Sequence, residues 1–226
     1  MRRIGSIVVF FFMMSVVHSQ NVDFQQEWSF GANAGVTLSR LNLVPRVSQE
    51  LLVQEVAGLT ARYISQKHFG ILVELNYSLR GWKERQDMVL QFNRYSRSLS
   101  YIELPVMTHI YFDLGKRVRL VGNLGPQIGW NTGEKVLEKE LGIPPDGKPS
   151  YPVYYKDDFL VQRKFDYGIT GGLGLEVRTG IGSFILDGRY YFGLSDIFNN
   201  TRADVFQSSH HQVILIKLTY LARRGK

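Results

Sequence analysis

The side chains able to do acid–base chemistry in this chain fall into two small groups. His109 shares strand parity with Glu103, and His210-His211 stand near Asp196 and Asp204 in sequence. A hydrolase built on either needs a serine or carboxylate nucleophile within hydrogen-bond reach of a histidine. Neither G-x-S-x-G nor H-E-x-x-H occurs. Cysteine is absent, which excludes thiolate catalysis, thiolate metal sites and a disulfide framework. His210 and His211 are adjacent, so on a strand they point to opposite faces and do not share a metal. The run Gly171-Gly172-Leu173-Gly174 resembles a phosphate loop in composition, but no helix follows it. A protein without enzymatic activity, cofactor or metal is expected.

A larger set of charges recurs with a period of two. Arg62, Glu74, Arg80, Glu103, His109, Arg119, Asp166, Glu176, Arg178, Asp187, Arg189 and Lys217 all sit on the polar parity of segments whose other parity is apolar. The clearest segment runs from Phe165 to Ser195. There Phe165, Tyr167, Ile169, Leu173, Leu175 and Val177 alternate with Asp166, Gly168, Thr170, Gly172, Gly174 and Glu176, and the pattern resumes after Gly180-Ile181. Such alternation is a strand signal. With Gly180-Ile181 as a two-residue type II′ hairpin loop, Gly172 lies opposite Arg189 and Gly174 opposite Asp187, so small residues make room for long ones.

The same pattern marks Glu27–Leu41, Val56–Ser65, Phe69–Trp82, Tyr101–Phe112, Arg117–Asn131 and Val213–Tyr220. Alternation persists well beyond the roughly 5–6 residues of a typical soluble strand. Eight strands result, joined by connections that are alternately long and short, the longest being Thr132–Lys164. Aromatic residues gather at strand ends: Trp28, Phe69, Phe112, Phe184 and Tyr220 on the turn side, and Trp82, Trp130, Phe165 and Phe192 on the loop side. Even strand number, segregated loop lengths and two aromatic girdles indicate an all-β, eight-stranded antiparallel up-and-down transmembrane β-barrel. Its termini and short turns are expected in the periplasm. Pro105 and Pro126 fall inside strands, where a missing ladder donor predicts local bulges.

Residues 1–19 combine a basic start (Arg2, Arg3), an apolar Ile4–Val17 stretch and a small-residue cleavage site, as in a secretory signal peptide. Residues 20–226 are then the barrel domain. Removing Arg2 and Arg3 lowers the formal net charge from +7 to +5. In an exported chain this basicity fits a solvated surface rather than nucleic-acid binding. Location in the outer membrane, with lipid as first partner, follows.

The segments Gly31-Ala32-Asn33-Ala34-Gly35, Ser39-Arg40-Leu41, ELNYSLRGW (74–82), YIELPVMTHIYF (101–112), NLGPQIGW (123–130), FDYGITGGLGLE (165–176) and LDGRYYFGLSDI (186–197) resemble the PorT-like outer-membrane β-barrel family of Bacteroidota. The resemblance covers nearly the whole mature chain, both prolines included, and is specific for fold and location. It implies a non-enzymatic integral barrel in a Gram-negative outer membrane. The family's namesake takes part in type IX protein secretion, so an accessory secretion role is the function the resemblance implies.

An eight-stranded barrel is just wide enough for side chains to fill its interior. Buried charges there must be paired. Glu74, Glu103, Glu176 and Asp187 are expected to pair with Arg80, Arg119, Arg189 and Lys217, with Arg178 in the same lumen network. A small porin, with mobile charges in the lumen, is the alternative. Tyr151, Tyr154, Tyr155 and Phe159, beside Lys156, Asp157 and Asp158, are the candidate contact surface for a protein or glycan partner.

Overall fold

The computed structural model describes residues 26–84, 94–140, 160–199 and 207–223. Residues 1–19, read from sequence as a signal peptide, and the aromatic cluster Tyr151, Tyr154, Tyr155 and Phe159 lie outside the described residues.

Eight long strands form one antiparallel sheet: β1 (Glu27–Val44), β2 (Leu52–Gln66), β3 (Phe69–Glu84), β4 (Arg94–Asp113), β5 (Val118–Glu140), β6 (Phe165–Arg178), β7 (Gly182–Asp196) and β8 (Ser208–Arg223). Each pairs with its sequence neighbour. β8 pairs back onto β1, from Ser29↔Arg223 to Val44↔Ser208, and the sheet closes into a ring without a free edge. A two-residue strand, Gln49–Glu50, adds to the loop end of β3.

The period-two pattern sets the two faces. Outward apolar side chains are open, as at Leu173 (68 %), Leu59 (64 %) and Leu124 (62 %), while inward Glu74 and Arg80 are 1 % exposed. A largely apolar exterior around a polar interior belongs in hydrocarbon, where every backbone group must be bonded within the protein.

The register between β6 and β7 agrees with the sequence reading: Gly171↔Tyr190, Gly172↔Arg189, Leu173↔Gly188 and Gly174↔Asp187. Gly180-Ile181 is the loop, closed by Thr179 N–H donating to the Gly182 carbonyl at 2.7 Å. The positive φ falls on Gly182 (154°) and not on Gly180, so the turn is not the expected type II′. The turn between β2 and β3 lies at Lys67-His68, one residue later than Gln66-Lys67. His68 takes the left-handed conformation there (φ 72°), and its Nδ1 lies 2.9 Å from the Tyr111 carbonyl oxygen.

Three further expectations are corrected. Pro105 and Pro126 interrupt the ladder without shifting it: Pro105↔Gln127 and Thr108↔Leu124 share one register, and Pro126 pairs with Ile169. A bulge needs an extra residue, and a proline only removes a donor. The register shifts of this pair lie at Ser96/Arg97 and Ser100/Tyr101. Trp82 belongs to no girdle. It shares the inward parity of Arg80 and is 1 % exposed, whereas Trp28 (49 %) and Trp130 (54 %) face outward. Finally, β5 continues through residues 132–140, read from sequence as loop, and pairs with β4 up to Arg94↔Glu140.

Candidate functional site: the charged lumen

The interior is filled in layers along the barrel axis. At the turn end Ile64, Tyr111, Val121, Ile185 and Leu221 pack together. They come from β2, β4, β5, β7 and β8, each at an inward position near a short turn. At the loop end Leu41, Leu43, Trp82, Tyr95, Leu99, Tyr101, Val161, Ile197 and Phe198 form a larger apolar cluster. Charged side chains occupy the length between.

Nearest the turn end, Arg62 of β2 donates through Nη1 to Glu176 Oε1 of β6 at 2.8 Å. Arg119 Nη1 lies 3.7 Å from the other oxygen of Glu176. Its Nε donates to Asp113 at 2.8 Å, and its guanidinium stands 4.2 Å from the Tyr111 ring centre. In the middle, Glu74 of β3 is held by two cations. Lys217 Nζ donates to Oε2, and Arg189 Nη2 lies 3.0 Å from Oε1. The same Arg189 nitrogen donates to Asp187 at 2.5 Å. Asn76 adds a bond to Glu74 Oε2 at 3.0 Å and accepts one from Asn33 at 2.9 Å.

Above this, Arg80 Nη2 donates to Asp166 Oδ2 at 2.5 Å, and Nη1 lies 3.3 Å from Glu103 Oε1. The guanidinium is sandwiched between aromatic rings, 3.7 Å from the centre of Tyr101 and 5.2 Å from that of Tyr191. Attraction to two ring faces adds to the ion pairs where no water competes. Asp166 also accepts from Tyr191 Oη at 2.8 Å and from Ser195 Oγ. Three donors thus occupy three of the roughly four acceptor directions of one carboxylate, as a buried carboxylate requires.

The glycines opposite these side chains leave no slack. A Cβ on Gly172 would stand 2.1 Å from the Gly188 carbonyl oxygen and 2.9 Å from Arg189 Cγ. Arg189 therefore reaches Glu74 only because position 172 has no side chain.

The structure brings together eight of the nine network residues singled out from sequence: Glu74, Arg80, Glu103, Arg119, Glu176, Asp187, Arg189 and Lys217. Arg178 is the exception. Its inward parity comes at the last residue of β6, so its side chain emerges at the rim, 37 % exposed, 3.5 Å from Asp113 and bonded to the Lys116 carbonyl. Two inward residues, Arg62 and Asp166, prove to be centres of the network. Tyr101, Tyr191 and Ser195 support it; their inward parity is the only signal the sequence carries.

The histidines do not converge. His109 is buried with Nδ1 2.8 Å from Asn123 Oδ1. His211 is buried with Nε2 3.3 Å from Tyr101 Oη. His210 points the other way, 3.5 Å from Asp196 Oδ1. Asp204 lies outside the described residues. Among the described residues no three His, Asp or Glu side chains are arranged to hold a metal ion.

No curated protein matches the chain in sequence. Solved structures of similar shape include OprG of Pseudomonas aeruginosa, an outer membrane protein (TM-score 0.47, 12 % identity, 90 % of this chain and 100 % of that one). Outer Membrane Protein W of E. coli aligns with TM-score 0.42 and 13 % identity over 89 % of this chain and 100 % of that one. Ail of Yersinia pestis, an attachment invasion locus protein solved with the heparin analogue sucrose octasulfate, aligns with TM-score 0.40 and 15 % identity over 86 % and 99 %. The family model described as outer membrane protein beta-barrel domain matches residues 19–199, and with its closed eight-stranded ring this chain belongs to that family and resides in the outer membrane.

Proposed function

We propose that the protein is a non-enzymatic, non-conducting outer-membrane barrel whose rigid body presents loops to a partner. The observation that carries this reading is the filling of the lumen: an apolar layer, three tiers of paired charges and a second apolar layer follow one another along the axis. A porin lumen instead keeps its charges in water. The scattering of His109, His210 and His211 supports a role without catalysis. Termini and short turns face the periplasm. The outer loops, with Tyr151, Tyr154, Tyr155 and Phe159, contact a protein or glycan. The resemblance to PorT-like barrels of Bacteroidota favours an accessory part in type IX-like secretion.

Liposome swelling tests the reading for small solutes. Vesicles carrying the protein should swell in arabinose no faster than empty vesicles, while a general porin in parallel swells at once. Swelling above the empty control would support the channel reading instead.

A further inference from the structure

We infer that a cleft at the loop end of β1 binds the phosphate of a lipid headgroup. The cleft, about 540 Å³, lies between β1 and the segment that follows it. Arg40 and Arg46 line it, with the amides of Asn42, Gln49 and Gln212 and the hydroxyl of Ser48, and no carboxylate does. Neither arginine has an ion pair among the described residues, although Arg62, Arg80, Arg97, Arg119 and Arg189 all do. Two unneutralised guanidiniums beside one cavity call for an anion.

Arg40 and Gln49 are held by bonds within the protein. Arg40 Nε donates to Gln212 Oε1 at 2.9 Å across the β1–β8 pair. That bond orients the guanidinium and leaves its four terminal N–H groups to the cleft. On the opposite wall the Gln49 side chain grips the backbone of Leu41. Leu41 N–H donates to Gln49 Oε1 at 3.0 Å, and Gln49 Nε2 donates to the Leu41 carbonyl at 2.9 Å. Backbone pairing of Gln49 with Glu84 ties the same segment to β3. A guanidinium oriented in this way, as at Arg40, binds at lower entropic cost than a free side chain.

Depth selects a lipid over a free anion. Arg40 pairs with Gln212, and the next outward pair toward the turn end is Leu38↔Ile214, followed by Val36↔Ile216. These are outward, apolar and continuous with the lipid-facing band; Ile214 and Ile216 are 41 % and 47 % exposed. One outward step is two residues, about 7 Å along the strand. On the far side of Gln212 lies outward Phe192, a residue of the loop-side girdle. The guanidinium therefore stands at the level of that girdle, where the headgroups lie and a bound phosphate lets the acyl chains lie along Leu38 and Ile214. Leu41 and Leu43 back the cleft from the loop-end apolar layer, while Arg40 and Asn42 take the exposed, outward parity of β1, so occupancy of the site does not depend on whether the lumen conducts.

The test uses the full chain in detergent with dioctanoyl phosphatidic acid as probe, bound lipid being counted by native mass spectrometry. The wild type should retain one lipid, and the Arg40→Gln/Arg46→Gln variant should retain it at least tenfold less well. Gln212→Leu, which removes no charge, should weaken retention severalfold by releasing Arg40. The control variant Lys116→Gln/Arg117→Gln removes equal charge from exposed positions at the turn end and should bind like wild type. Heat-modifiable gel mobility checks that each variant is folded. Inorganic phosphate should compete only at far higher concentration than the lipid. The inference is overturned if the cleft variant retains lipid as well as wild type, or if both double variants lose it equally, which would mark diffuse attraction. Equal competition by inorganic phosphate would make it a free-anion site and overturn it as well.

Discussion

Replacing Arg80 with alanine is expected to destabilise the barrel by about 3–5 kcal/mol, the range for removing one partner of a buried ion pair. The value should fall at the upper end. Arg80 neutralises Asp166 and Glu103 together, and its guanidinium fills the space between Tyr101 and Tyr191. Its loss leaves two carboxylates in a water-poor layer with only hydroxyl donors beside Asp166, and it opens a cavity between two rings. A surface pair sets the scale. Lys83 and Glu138 lie 3.4 Å apart with both side chains partly exposed, and such pairs contribute about 0–1 kcal/mol. Urea midpoints of Arg80→Ala and Lys83→Ala in the same lipid, with wild type alongside, should separate by several-fold in free energy. Equal shifts would mean that the lumen is wet and its charges are screened.

Arg189→Ala should also fall in the range of about 3–5 kcal/mol, but at its lower end. Glu74 keeps Lys217 and Asn76 after the change, so the carboxylate stranded is Asp187. The prediction has a second arm. Replacing Arg189 by methionine together with Asp187 by leucine removes both charges and fills the volume, and substitutions of this kind are often neutral or stabilising. The double variant should therefore recover at least half of the loss seen in Arg189→Ala. If it unfolds at lower urea than the single variant, Asp187 has a partner in the barrel other than Arg189, and the pairing described above is incomplete.

How much of this was legible beforehand follows from the range of each signal. Strand parity is local, so the pleat alone placed Glu74, Arg80, Glu103, Asp187 and Lys217 inside the ring. The β6–β7 register followed from one two-residue loop. Cross-lumen partners were not legible. Arg62 meets Glu176 over 114 residues and Arg80 meets Asp166 over 86, and which inward residues share a tier depends on the stagger of the closed sheet. Parity also outranked position for Trp82: near a strand end it resembled a girdle residue, but its even number sent it inward. The loop end of β5 carries no parity signal, for another reason. Beyond the apolar band residues 132–140 carry only Val136 and Leu137 as apolar side chains, one on each face, so the period vanishes. The strand there is held by the ladder to β4 and by pairs such as Arg97–Glu134 at 3.0 Å. Arg178 shows the converse limit, since correct parity at a strand's last residue leads to the rim and not to the lumen.

Whether packed apolar layers and neutralised charges close the lumen is read out by single-molecule conductance in planar lipid bilayers. Wild-type protein, inserted and verified by its heat-modifiable mobility, should give a flat baseline at applied voltages of either sign. Arg80→Ala, which removes the bulkiest charged group between the tiers, should give at most brief, small openings. Steady, large-conductance steps from the wild type, ohmic in voltage and proportional to salt, would establish a water-filled pore in place of the closed lumen.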